Sequence, residues 1–190
     1  MTFRPRRRAA VRAGAVAAGA MLVLSGQTAA ASAAVMGSGD PPATWGPYQY
    51  VNRSSGKCLE VADWRLDEWA PVRQWDCTGG NNQKWKLVGR NDVERSFWKM
   101  VNVHSGKCLH WPPVGGRSPW GGTELIQLSC AQDTLWSIPE PYGPEAENTV
   151  IGAGYDGLVL EIGGFSGAQG APAQLWWSNG GANQLWERRR

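Results

Sequence analysis

Short apolar runs, separated by turn-forming residues, are the main pattern along residues 45–187. CLEV (58–61), PVRQW (71–75) and KWKLV (84–88) are such runs, punctuated by SSG and CTGGNN. Runs of this length between Gly-, Ser- and Asn-rich breaks read as β-strands. No segment sustains a 3.6-residue period with capping residues, so long helices are not expected. The pattern itself recurs. VNRSSGKCL at 51–59 returns as VNVHSGKCL at 101–109, and GKCLEV at 56–61 returns as GLVLEI at 157–162. Each unit closes on a tryptophan, Trp85, Trp136 and Trp186, within NNQKW, QDTLW and ANQLW. Three units of about 50 residues therefore occupy most of the chain. A propeller needs about four or more blades, so three β-units closing on one another predict a threefold barrel.

Residues 1–34 stand outside this pattern. Five arginines (Arg4, Arg6, Arg7, Arg8 and Arg12) precede the apolar run AGAVAAGAMLVLSG and then the small residues TAAASAA. Basic, apolar and small, in that order, is the layout of a secretory signal peptide. The run is rich in Ala and Gly and falls short of the about 20 apolar residues that a membrane span requires. Export, not membrane insertion, is the expectation, with residues 35–44 a short linker. Removing the leader changes the charge. The formal +3 becomes −2, with 14 basic against 16 acidic side chains, and the basic pI then gives no reason to expect nucleic acid. What remains is the size of one domain, residues 45–190, with repeats at about 45–90, 95–140 and 146–187; the segment PYGPEAEN (141–148) reads as a linker.

All four cysteines lie in the repeats, an even number in an exported chain. Cys58 and Cys77 match Cys108 and Cys130, while Val159 and Ser178 take their places in the third unit. Joint loss is what a disulfide requires, so the expected bonds are Cys58–Cys77 and Cys108–Cys130. With the cysteines paired and no carboxylate cluster to cage calcium, neither metal nor cofactor is expected. All 12 tryptophans fall after the leader. Tryptophan suits both a core and the apolar face of a sugar.

Units that open with Gly-x-Cys-Leu-acid-Val and close with Gln-x-Trp resemble the ricin B-chain type of lectin domain, which also serves secreted bacterial glycosidases as a carbohydrate-binding module. The resemblance covers about residues 45–187. It implies an all-β fold, the β-trefoil, in which six strands form a barrel capped by three hairpins. It also implies up to one shallow sugar site per repeat, built from an acid, a polar residue, an aromatic two residues on, and the Asn-Gln of the closing motif. In the third repeat that set is Glu161, Gln174, Trp176, Asn183 and Gln184. In the first it is Glu60, Arg73, Trp75, Asn82 and Gln83. A carboxylate and an amide can clamp adjacent hydroxyls while the ring covers C–H bonds. On a strand, Gln174 and Trp176 share one face, with Leu175 and Trp177 on the other. Arg73 has two open roles, donation to a sugar hydroxyl or an ion pair with Glu60.

The second repeat departs from the set. His110 replaces the acid, Leu128 the aromatic, and Asp133-Thr134 the Asn-Gln, so no sugar site is expected there. Both other repeats carry Glu where the family usually has Asp, and the extra methylene is expected to move the carboxylate outward. Plainer roles compete: the closing tryptophans as core, Gln83 and Gln184 as turn braces, and Glu60 and Glu161 as exposed strand-end carboxylates. Only His104 and His110 are available as imidazole bases and no nucleophile motif accompanies them, so catalysis is not expected. The sequence thus predicts a secreted, non-catalytic protein that binds galactose-type sugars or a polysaccharide, with a secreted hydrolase or cell-surface glycan as partner. A trefoil that binds or inhibits another protein, its sugar sites vestigial, is the alternative.

Overall fold

A computed structural model of the chain describes residues 43–89, 97–113, 118–132, 134–138, 146–154 and 157–190. The expected signal peptide, most of the expected linker and Asp133 lie outside these residues. The described chain is all β apart from single 3₁₀ turns. Six segments form the barrel: β1 (Thr44–Asn52), β4 (Trp85–Gly89), β5 (Phe97–Asn102), β8 (Trp136–Ser137), β9 (Ala146–Thr149) and β12 (Trp186–Arg189). β1 pairs with β4, β4 with β5 and β5 with β8. β9 pairs with β12, and β12 with β1. The ring closes where Ser137 and Gly152 exchange backbone hydrogen bonds of 2.8 and 2.9 Å. Residues 146–148, read from the sequence as linker, thus belong to β9. The Pro- and Gly-containing stretch before them masks a short strand whose partner, β12, arrives about 40 residues later.

Three antiparallel hairpins complete the fold: β2 (Cys58–Val61) with β3 (Val72–Trp75), β6 (Cys108–His110) with β7 (Ile126–Leu128), and β10 (Leu158–Ile162) with β11 (Ala173–Trp177). Each hairpin bonds the next in a cycle. Val72 N–H donates to the Leu125 carbonyl, Leu125 N–H to Ala173, and Gln74 N–H to Ala171. The described core joins all three repeats, and Trp85, Trp136 and Trp186 are fully buried in it. Their indole N–H groups donate to equivalent carbonyls, Leu59 (3.1 Å), Leu109 (3.0 Å) and Leu160 (3.2 Å). Each closing tryptophan therefore fastens its barrel strand to its own hairpin while burying a large ring. Cys58–Cys77 and Cys108–Cys130 are disulfides.

Candidate functional site

The 13-residue spacing between acid and polar residue becomes direct cross-strand pairing: Glu161 faces Gln174 on the third hairpin and Glu60 faces Arg73 on the first. Glu161 is only 3% exposed. Its Oε1 accepts from Gln174 Nε2 at 2.8 Å, and its Oε2 accepts from Asn183 Nδ2 at 3.1 Å and Gln184 Nε2 at 2.9 Å. The carboxylate is therefore turned back onto three amides and is not an exposed strand end, because those donors satisfy its charge under cover. Gln184 also braces the turn, its Oε1 accepting from Asn179 N–H at 2.8 Å.

Asn183 carries the informative detail. Its Nδ2 donates to both Glu161 and the Ile162 carbonyl, which fixes the amide and leaves Oδ1 as the free acceptor. That oxygen is buried with no hydrogen-bond partner among the described residues. A buried acceptor left unpaired costs about 1–3 kcal/mol, a cost that a donor from outside would remove. A β-carbon at Gly181 would stand 2.5 Å from this oxygen and 2.8 Å from the Phe165 ring, so the glycine lets an aromatic wall stand beside the acceptor. Phe165 (56% exposed) and Trp176 (38% exposed) line, with Gln174, Asn179 and Asn183, a cleft of about 300 Å³. The wall is held by the turn Gly163–Phe165, where Gly164 (φ 61°) and Phe165 (φ 54°) are both left-handed. Phe165 adopts that region against its steric preference.

The first hairpin repeats this frame. Glu60 Oε2 accepts from Asn82 Nδ2 (3.2 Å) and Gln83 Nε2 (3.1 Å), and Asn82 Oδ1 is again buried and unpartnered among the described residues. Trp64 (φ 56°) stands where Phe165 does, over Gly80 in place of Gly181. The difference is Arg73. Its Nε donates to Glu60 Oε1 at 3.0 Å, one Nη donates to Asp63 at 2.7 Å, and its guanidinium lies 4.4 Å from the centroid of the Trp75 ring.

The family profile described as a ricin-type β-trefoil lectin domain-like region matches residues 39–127 and 90–176. The chain belongs to that family. Among solved structures, this lectin-like chain is similar to the designed threefold-symmetric protein ThreeFoil, with 31% identity, TM-score 0.62, and coverage of 75% of this chain and 97% of the other. It is similar to an exo-β-1,3-galactanase from Clostridium thermocellum, with 31% identity, TM-score 0.63, and coverage of 75% of this chain and 30% of that enzyme. The Macrolepiota procera ricin B-like lectin, solved with lactose, shares the fold at 21% identity and TM-score 0.60, over 80% of this chain and 97% of that lectin.

The lectin frame is absent from the second hairpin. His110 faces Ile126, and His110, Leu128 and Thr134 are all buried. The His110 Nδ1 bonds the Trp111 carbonyl, and burial holds the imidazole below its ordinary pKa. Trp111, which reads as loop in the sequence, packs edge-on against Trp136 with ring centroids 5.5 Å apart. His110 and Ile126 are 16 residues apart, against 13 for Glu60 and Arg73, and the extra residues fall between β6 and β7 without changing the hairpin register. Site-lining residues outside the family set are Gly164, Phe165 and Asn179 in the third repeat and Asp63, Trp64 and Thr78 in the first. Trp64 and Phe165 each lie four residues after the acid, a spacing the repeats display. Trp177, expected on the other face of β11, is instead 54% exposed, its ring 5.3 Å from that of Trp176 and leaning on Gly121.

Proposed function

We propose that this chain is a secreted, non-catalytic carbohydrate-binding protein that takes a neutral, galactose-type sugar or a polysaccharide containing it in the third-repeat cleft. The observation that carries the reading is the buried, unpartnered Asn183 Oδ1 between two exposed aromatic walls, Phe165 and Trp176. A sugar hydroxyl supplies the missing donor, and the rings cover C–H faces. The lactose complex of one relative and the galactanase that carries a similar domain favour galactose-type ligands. The exposed Trp177, adjacent to Trp176 with centroids 5.3 Å apart, favours a ligand longer than one ring. Secretion is supported by the leader pattern and the two disulfides. A shallow site of this kind has an expected Kd of about millimolar, roughly −4 kcal/mol.

The test is a screen of the processed protein on a glycan array and insoluble polysaccharides beside Trp176→Ala. Binding of a defined neutral glycan class by the parent, weakened by about tenfold or more in Trp176→Ala, is the expected result. Equal binding by the variant removes the third-repeat cleft from the account. A folded parent that binds no glycan overturns the reading in favour of a protein partner.

A further inference from the structure

We propose that Arg73 occupies the first-repeat site in place of a sugar, so that this lectin binds through one cleft and not two. The inference rests on the third-repeat cleft being the sugar site, and it concerns what the first repeat does with the same frame. Glu60, Asn82, Gln83, Trp64 and Trp75 are all in place there. The guanidinium, however, lies over Trp75, 4.4 Å from the ring centroid, on the ring a sugar would need. Two carboxylates hold it, Glu60 through Nε at 3.0 Å and Asp63 through Nη at 2.7 Å. The remaining cavity is about 180 Å³, against about 300 Å³ in the third repeat.

Comparing the two hairpins isolates the cause. Where the first repeat has Asp63 and Arg73, the third has Gly164 and Gln174, so both halves of the second ion pair are missing there. Asp63 sits at φ 53°, a left-handed position that glycine occupies without strain. An aspartate there costs conformational energy, and what it adds is a second anchor for Arg73. A neutral sugar offers hydroxyl hydrogen bonds and C–H contacts. These do not replace two charge-assisted bonds and a cation–π contact. An acidic sugar fares no better, because the two carboxylates already outweigh the single guanidinium.

The experiment is a calorimetric titration of the processed protein with lactose, β-1,3-galactan and galacturonate. Five proteins are compared: the parent, Trp176→Ala, Trp176→Ala with Trp75→Ala, Trp176→Ala with Arg73→Gln, and Trp176→Ala with Asp63→Gly and Arg73→Gln. Near-UV circular dichroism verifies folding, and both exchanged residues are those the third repeat already carries. The proposal expects one neutral ligand per parent chain and no binding by Trp176→Ala. It further expects binding to return in the triple variant, within about tenfold of the parent, and more weakly with Arg73→Gln alone. Two ligands per parent chain, or neutral-sugar binding by Trp176→Ala that Trp75→Ala then removes, overturns it. So does a folded triple variant that stays inert, since something other than Arg73 then closes the site. Galacturonate binding by Trp176→Ala that Arg73→Gln abolishes also overturns it, making Arg73 a receptor. A parent that binds neither lactose nor galactan removes the third-repeat reading as well. That result is distinct from failure of the Arg73 proposal, which leaves parent binding intact.

Discussion

Glu161 and Trp176 belong to one cleft but hold it in different ways. Glu161 accepts three side-chain amide donors while buried, so Glu161→Ala leaves those donors without their acceptor. Hydrogen bonds to a charged group are worth about 1.5–3 kcal/mol each, less when the donors find other partners. Glu161→Ala is therefore expected to lower the unfolding free energy by about 3 kcal/mol in a urea titration and to abolish glycan binding. Trp176→Ala, at a ring already open to solvent, is expected to change stability by less than about 1 kcal/mol while losing binding. Equal destabilisation by both contradicts this division. The division follows from tertiary contacts. The sequence names both residues, but the acid's turn away from solvent depends on amides 22 and 23 residues downstream.

Between elements, two buried glutamines tie the first and second hairpins each to a loop of a neighbouring repeat. Gln74 Nε2 donates to the carbonyls of Ser166 (2.8 Å) and Ala168 (2.9 Å), while its Oε1 accepts from Ser55. Gln127 does the same to Arg65 and Asp67, with Ser105 as donor. The third hairpin has Leu175 at this position, and the loop it would clasp is the lengthened one of the second repeat. Gln74→Leu is expected to cost about 1–3 kcal/mol. It should speed amide exchange around residues 166–170 and weaken glycan binding severalfold, because the clasped loop follows Phe165. Unchanged exchange there would contradict the clasp. The three β-repeats, the trefoil they imply and the cysteine pairing are legible, since repetition at a fixed spacing exposes equivalent positions. The clasps were not, because they join residues 92 and 94 apart in different repeats. The Asp63–Arg73 pair escaped for a related reason: it depends on a backbone angle that the residue types do not announce.

At the scale of the molecule, pseudo-threefold symmetry supplies three equivalent positions, and the residues use each differently: one open cleft, one filled by its own arginine, one packed shut around His110 and Trp111. A single open cleft binds but does not bridge. The folded monomer is therefore expected not to aggregate galactan-coated particles in a light-scattering assay, whereas Asp63→Gly with Arg73→Gln, restoring a second cleft, is expected to do so through avidity. Aggregation by the unmodified monomer would contradict this.

The pairing of β1 with β12 also governs how the molecule comes into being. Gln49 lies opposite Arg189, so the first barrel strand to leave the ribosome has its partner at the other end of the domain. Until Trp186–Arg189 is made, β1 and β9 each present an open edge, the kind of surface on which chains associate wrongly. Contacts this remote in sequence slow folding, because the chain's loop entropy must be surrendered before they form. The domain thus remains unclosed until its last strand is made, so every earlier element waits on β12 for the barrel to be completed.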